Sequence, residues 1–373
     1  MPYYQIDQWF YVIAAVVALH LIYILLFFRR IASFKSQELS AQKKQGVSVI
    51  IVAKNEKVNL EKLVPAVLEQ DYENFELIIV DDQSWDGTHE WMHDLLPKHK
   101  NLKLLTLDDN VNHKPGKKLA LTLGIKKAQY DIVLLTDADC LPTSKNWLAY
   151  MAQSFDDNTD VVLGYSPYST SKNVLNPFVR FEGFWVAWQY FSFALFGAPY
   201  MGVGRNLAYR KNVFLANKGF ASNLHIPFGD DDLLIQEIAN SKNTKVVMHK
   251  DAHVITEPKK ALGSWGKQKR RHLSAGKHYN FKFKALLGSV WLIKVLYFIS
   301  LAIYLFMGQY NVLTLCLSAM PILAYWVIAI VANHKHGLFN LWYLFPLLDL
   351  LYQIVLYPIF GLVAALHPQK NNW

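Results

Sequence analysis

The sequence predicts an α/β domain with a mainly parallel central sheet, joined to transmembrane helices, and three observations carry that prediction. Between residues 46 and 280, short β-branched runs alternate with stretches of helical periodicity, the order that builds parallel strands covered by helices. Carboxylates stand directly after two of the apolar runs, where open α/β sheets hold their ligands. Four long apolar blocks flank this part, one before it and three after it.

The first block, residues 9–28 (WFYVIAAVVALHLIYILLFF), has no formal charge and is about the length a helix needs to cross a roughly 30 Å hydrocarbon layer. No Lys or Arg precedes it and Arg29-Arg30 close it, so residues 1–30 read as an anchor rather than a cleaved signal. Further blocks at 286–307, 312–331 and 338–366 make a C-terminal region, 286–366, of about three spans. The last contains Pro346, Asp349 and Pro358 and reads either as a kinked span or as a re-entrant hairpin. Arg29, Arg30, Lys35, Lys43 and Lys44 follow the first block, and Arg270, Arg271, Lys277, Lys282 and Lys284 precede the second. That asymmetry places the middle of the chain on the cytoplasmic face of a multi-pass cell-membrane protein. Lys294, inside the second block, is expected to snorkel to the cytoplasmic surface.

The formal charge of +9, beside membrane segments, points to anionic lipid and phosphorylated ligands as partners rather than nucleic acid. Two cysteines, Cys140 and Cys316, make neither a disulfide framework nor a zinc site, which fits a reducing compartment.

Strands are expected at 47–53, 75–80, 102–107, 132–136 and 160–164, with a helix after the first strand marked by Leu60, Leu63, Val64, Val67 and Leu68. The first strand runs into Lys54-Asn55-Glu56 without G-x-G-x-x-G, which argues against a dinucleotide-binding domain. After the second comes Asp81-Asp82-Gln83-Ser84-Trp85-Asp86-Gly87-Thr88: two carboxylates able to accept hydrogen bonds from a base or ribose, in residue types that equally suit a turn and helix N-cap. His113-Lys114-Pro115-Gly116-Lys117-Lys118 opens a helix through Ala128. Gly116 and Lys117 there can hold phosphate, or simply form an exposed basic helix start; a P-loop is missing.

After the fourth strand, Thr136-Asp137-Ala138-Asp139 turns both carboxylates to one side if the backbone stays extended. Hard oxygen ligands suit Mg²⁺ or Mn²⁺ completed by water and substrate phosphate; the plainer reading is a solvated strand end. Asp230-Asp231-Asp232 opens another helix. Repulsion among the three can raise one toward the range of a general base, or their charge can merely suit a helix N-terminus. Gln268-Lys269-Arg270-Arg271-His272 reads as a juxtamembrane basic patch, compatible with a clamp for acceptor and diphosphate. The aromatic segment 178–196 reads as a buried helix or as an interfacial helix admitting a lipid acceptor.

In this order the motifs resemble those of the family 2 glycosyltransferases, inverting enzymes with the GT-A fold. VSVIIVAKNE, FELIIVDDQSWDGT, GKKLALTLGI and TDADC look like successive signatures, and the resemblance covers about residues 47–279. It implies donor contacts at Ala53, Asn55, Glu56, Asp81, Asp82, Gly116, Lys117 and Asp137, and metal binding by Asp139 with Asp137. The base role falls on Asp231, with Asp230 as the competing alignment, because three consecutive Asp leave the register open. Gly202-x-Gly204-Arg205-Asn206 is similar to an acceptor-side loop, and QKRRH is similar to Q-x-x-R-W, adding Gln268, Arg271 and His272. His272 departs from the Trp associated with the acceptor end of processive enzymes. The resemblance implies a nucleotide-sugar donor, a UDP-sugar first, and a lipid-linked or saccharide acceptor. A processive polysaccharide synthase and a non-catalytic nucleotide-sugar-binding membrane protein are the alternatives.

Overall fold

The computed structural model describes residues 8–40, 45–107, 116–307 and 311–366. Its main sheet is built from β1 (Val47–Ala53), β2 (Phe75–Asp81), β3 (Leu102–Thr106), β4 (Ile132–Leu135), β6 (Val161–Leu163), β7 (Leu207–Arg210) and β8 (Thr244–Val246). The strand order is β3-β2-β1-β4-β7-β6-β8. β1 to β4 run parallel, with Val47 opposite both Phe75 and Ile132; β7 enters antiparallel between β4 and β6, and β8 pairs parallel with β6. The sheet is therefore mixed but mostly parallel. A separate ribbon pairs β5 (Cys140–Pro142) with β9 (Val254–Thr256).

The helices in chain order are α1 (Gln8–Tyr23), α2 (Arg29–Ser33), α3 (Lys57–Leu68), α4 (Thr88–Leu95), α5 (Lys117–Lys127), α6 (Trp147–Gln153), α7 (Asn176–Phe196), α8 (Lys211–Ala216), α9 (Asp232–Ile238), α10 (Leu262–Gly276), α11 (Phe281–Phe306), α12 (Val312–His336), α13 (Phe345–Leu351) and α14 (Tyr357–Leu366). The long strands lie where their apolar runs place them. β5, β7, β8 and β9 have no counterpart in the sequence reading; each is only three or four residues long.

Alternation along each strand divides the domain into two cores. Val49, Ile51, Leu77, Ile79, Leu134 and Val162 face α3 and α6, where Leu60, Leu63, Val64, Trp147 and Met151 close the layer. Ile50, Ile78, Val80, Val133, Leu135 and Leu163 face α5 and α7. That second core runs without a break through Trp185 and Trp188 to Phe28, Tyr325 and Phe345 of the apolar helices. The segment 178–196 is thus a buried helix wedged between sheet and apolar bundle. Trp188 is fully buried and its indole N–H donates to the Phe28 carbonyl at 3.3 Å, so the interfacial alternative for its face does not hold.

Among the described residues, four helices are long and apolar enough to cross a membrane: Trp9–Ser33, Phe281–Phe306, Val312–His336 and Trp342–Leu366. The last is one kinked helix rather than a hairpin, with a π-helical turn at Tyr352–Leu356 just before Pro358. Lys294 does not snorkel. It is buried one-half along α11, donates to Asp349 Oδ1 at 2.6 Å and lies 3.7 Å over the Trp185 ring, because α11 starts at Phe281 and carries it away from the helix end. The domain is pinned to the bundle by Tyr165 Oη donating to the Leu338 carbonyl at 2.6 Å and by Trp265 of α10 against Phe360 of α14.

Candidate active site

The loops after β1, β2 and β4 leave the sheet at one edge. The loops after β1 and β2 clasp each other: Asn55 N donates to Ser84 Oγ at 2.8 Å, Trp85 N to Asn55 Oδ1 at 2.9 Å and Lys57 N to Asp86 Oδ2 at 3.0 Å. Asn55 and Gln83 adopt left-handed φ of 57° and 61°, a conformation Asn tolerates better than most residues. The turn role belongs to Asp86, which accepts from Thr88 N and Oγ1. Asp81 and Asp82 are buried beneath this clasp together with Ala53. Asp81 accepts from Ser84 N and lies 3.6 Å from His89 Nδ1. Neither Asp82 oxygen accepts a hydrogen bond among the described residues; Lys54 Nζ stands 3.8 Å away, and burial, helped by the Asp81 charge, sets the carboxyl above its ordinary value against the pull of Lys54. A buried carboxylate left short of donors is a group reserved for a ligand or for strain.

The extended backbone of β4 stops at Leu135, and Asp137 to Cys140 form a turn closed by Cys140 N on the Asp137 carbonyl at 3.2 Å. Asp137 lines the cleft, and Asp139 lies exposed two residues on within the turn, so the pair is not set on one side by strand alternation as the sequence reading assumed. Asp137 pairs with Lys117 Nζ at 3.0 Å. Asp139 is exposed, and its charge adds to burial in raising the Glu56 carboxyl. Among the described residues no three His, Cys, Asp or Glu side chains group closely enough to enclose a metal. Two hard carboxylates beside the unpartnered Thr136 hydroxyl do suit a Mg²⁺- or Mn²⁺-like ion that draws its remaining ligands from water and phosphate.

Of the segment at 113–118, residues His113 to Pro115 lie outside the described residues. Gly116 is the N-cap of α5, and the lysines after it diverge. Lys117 reaches Asp137 and also Asp230 Oδ2 at 2.9 Å, so it is neither an exposed basic helix start nor an open phosphate cradle in this state. Lys118 turns the other way and donates to the carbonyls of Asn223 and Ile226 at 2.7 and 2.9 Å, fastening the loop that leads to the acidic cluster.

The three adjacent Asp have three different surroundings. Burial pushes Asp230 up, but the Lys117 ammonium outweighs it and holds the carboxyl below its ordinary value. Asp231 accepts from Gly204 N at 2.9 Å; burial first, then the charges of Asp230 and Asp232, push it up to about 7. Asp232 is buried and raised by that burial, and it accepts from Tyr279 Oη at 2.6 Å. Asp231 thus has the properties of a base near neutral pH, and Asp230 those of a counter-ion.

Gly204 lines the cleft with Lys117, Thr136, Asp137 and Asp230. Arg205 stacks its guanidinium 4.8 Å over the Tyr168 ring. Asn206 is not in the cleft. It is fully buried, its amide donating to the carbonyls of Tyr165 and Ala252 at 2.8 and 2.9 Å and its oxygen accepting from Trp147 Nε1 at 2.9 Å, so its work is to hold β7 and α6 together. From α10, Gln268 Nε2 donates to Tyr168 Oη at 3.4 Å while its Oε1 is buried without a partner, and Arg271 lies 5.9 Å over Phe228. His272 follows on α10, where its surroundings in the protein, then the charges of Lys269, Arg271, Arg205 and Lys117, hold its ring well below the usual histidine value. A cavity of about 190 Å³ lies elsewhere, lined by Phe34 to Gln37, Tyr150 and His249. Lys54, His89, Tyr168 and Tyr279 were missed by the sequence reading; nothing local marks them, since each is defined by a partner far along the chain.

Residues 48–216 match the pattern of Glycosyl transferase family 2. The chain is 32% identical over 117 residues to a poly-beta-1,6-N-acetyl-D-glucosamine synthase of Staphylococcus epidermidis, covering 31% of this chain and 27% of that protein. It is 28% identical over 150 residues to the synthase of the same name from Staphylococcus aureus strain COL, covering 40% and 35%. The chain therefore matches only about a third of the length of these curated relatives. Its fold is similar to that of the mannosyltransferase PcManGT from Pyrobaculum calidifontis, solved in complex with GDP-Man and Mn²⁺: TM-score 0.60 and 18% identity over 97% of this chain and 100% of that one.

Proposed function

We propose that this chain, whose residues 48–216 form a family 2 glycosyl transferase domain, is a membrane-bound inverting glycosyltransferase that moves a sugar from a nucleotide-sugar to a hydroxyl of a lipid-linked or saccharide acceptor. In this reading residues 1–30 anchor the chain, 46–280 form the catalytic domain on the cytoplasmic side, and 286–366 complete a multi-pass membrane region. The side assignment is supported by the basic residues that flank the first two apolar helices.

The observation that carries the reading is the Lys117 ammonium, which lies within 3.0 Å of Asp137 and 2.9 Å of Asp230. One side chain spans from the turn suited to a metal to the neighbour of the raised carboxyl, so a leaving diphosphate and an attacking hydroxyl fit one cleft. Asp231 takes the proton of the acceptor hydroxyl. Its oxygen then bonds to the anomeric carbon while the bond to the diphosphate breaks on the opposite face, which inverts the configuration and leaves the proton on Asp231. Asp137 and Asp139 would hold a divalent cation, which when bound supplies Lewis-acid neutralisation of the diphosphate. Arg205 and Arg271 add fixed positive charge on the acceptor side, and Asp81 and Asp82 face the nucleoside end.

The test is turnover by the purified protein in lipid with Mn²⁺ or Mg²⁺ across a donor panel. The names of the relatives put UDP-N-acetylglucosamine first in it and GDP-mannose second. Metal-dependent release of one nucleoside diphosphate, lost in Asp139→Ala and Asp231→Asn, is the expected result. Silence across the panel, with membrane extract as acceptor and folding verified, would instead support a non-catalytic sensor. A polysaccharide acceptor is favoured by the names of the staphylococcal relatives, while His272 speaks for few additions per encounter.

A further inference from the structure

We infer that Lys117 is an internal counter-ion that competes with the divalent cation for Asp137, so that metal loads tightly only together with the negatively charged donor. The inference rests on the metal role proposed for Asp137 and Asp139. It begins from the shape of the cleft. Lys117 is the first residue of α5, and its side chain is 24% exposed, so most of its length is enclosed. The ammonium has three N–H donors, and two carboxylates from different loops take it, Asp137 after β4 and Asp230 before α9. Gly204 borders this arrangement: a Cβ there would meet Lys117 Nζ at 3.6 Å and Asp230 Oδ2 at 3.8 Å, ordinary contact distances.

The two carboxylates suited to the metal are treated differently. Asp137 is held by Lys117 at 3.0 Å, whereas Asp139 makes no salt bridge among the described residues, and Arg205 acts on both carboxylates only at longer range. An ammonium and a dication on one carboxylate repel each other at twice the unit-charge interaction, in a cleft where burial weakens solvent screening. Binding of the cation alone must therefore draw Asp137 away from Lys117 or suffer that repulsion. The diphosphate of a donor changes the balance, because it brings negative charge for both cations at once. Lys117 keeps Asp230, moves toward the phosphate oxygens and gives up Asp137. In this way one residue makes the metal site responsive to the nucleotide, and the same movement leaves the charge next to Asp231 in place.

The experiment is Mn²⁺ binding to the full chain in lipid nanodiscs, read by electron paramagnetic resonance of free Mn²⁺, with and without UDP. Wild type is expected to bind Mn²⁺ weakly alone and at least tenfold more tightly with UDP. Lys117→Gln, which keeps a hydrogen-bond donor and loses the charge, should bind Mn²⁺ alone at least tenfold more tightly than wild type and respond less to UDP. Lys117→Arg should behave as wild type does. Lys118→Gln is the control for charge in general, because Lys118 lies next door but donates to the Asn223 and Ile226 carbonyls. If Lys117→Gln binds Mn²⁺ no more tightly than wild type, or if Lys118→Gln tightens it equally, the competition is refuted. Asp139→Asn separates the two readings. Mn²⁺ binding that ignores this substitution sinks the metal site itself, whereas binding that needs Asp139 but ignores Lys117 sinks only the counter-ion. Circular dichroism of each variant verifies folding, and Lys117→Met gives a second uncharged side chain should the Gln variant misfold.

Discussion

Titration of Asp231 is the most direct quantitative consequence of the cleft. Its carboxyl is pushed up to about 7 by burial and then by Asp230 and Asp232, while Lys117 and the Gly204 amide pull the other way. As the base, Asp231 works only when ionised, so the rate must rise with pH through that value. With one group titrating at about 7, roughly a tenth is ionised at pH 6 and nine-tenths at pH 8. The expected kcat/KM therefore climbs about tenfold between those pH values before levelling. Asp230→Asn removes the larger of the two like-charge contributions and should move the rising limb to lower pH. The linked effect on stability has the opposite sense. A carboxyl raised in the folded state contributes stability that is fully present below its unfolded value and is lost as pH rises through about 7. Asp231→Asn should thus narrow the difference in melting temperature between pH 5 and pH 8. Initial rates of nucleoside diphosphate release from pH 5.5 to 8.5, at fixed free Mn²⁺, measure the profile. A flat profile across that range, or an upward shift in Asp230→Asn, would refute the assignment of the base.

Three further outcomes follow from contacts described above. Lys294→Met strands the Asp349 carboxylate inside the apolar bundle and should destabilise the protein by about 3–5 kcal/mol, whereas Lys294→Met with Asp349→Leu should recover most of that; thermal unfolding in detergent reads both, and equal losses would deny the pairing. Asn206→Ala leaves the Tyr165 and Ala252 carbonyls and the Trp147 indole N–H without partners, at about 1–3 kcal/mol for each group left unsatisfied. It should lower the melting temperature without a selective rise in acceptor KM; such a rise in a stable variant would return Asn206 to the acceptor site. Trp188→Ala empties the centre of the seam between sheet and bundle and should cost about 3–5 kcal/mol, so a near-neutral melting temperature would mean that α7 is not wedged there.

The fold was legible wherever a local period is long enough to read. The seven-residue runs of β1 and β2 alternate between two cores, and the helical spacing of Leu60, Leu63, Val64 and Val67 matches the face α3 buries. The carboxylates at strand ends were legible for a similar reason, since a parallel sheet sends every such end to one edge. The four apolar helices follow from length and composition alone.

What only the tertiary structure decided is which charge meets which. Sequence spacing placed Lys117 at a helix start, but the fold brings it to Asp137, 20 residues away, and to Asp230, beyond another three strands and three helices. Three identical neighbours at 230–232 are indistinguishable as a string, and become a lysine-paired carboxylate, a raised carboxyl and an anchored acid through contacts with Lys117, Gly204 and Tyr279. Asn206 moved from the site to the scaffold, and Lys294 from the surface to the interior, for the same reason. Periodicity reports how a segment divides apolar from polar faces and is set by near neighbours. The energy of a charge or amide depends on burial and on partners within a few ångströms, and those are supplied by segments that meet only when the chain has folded.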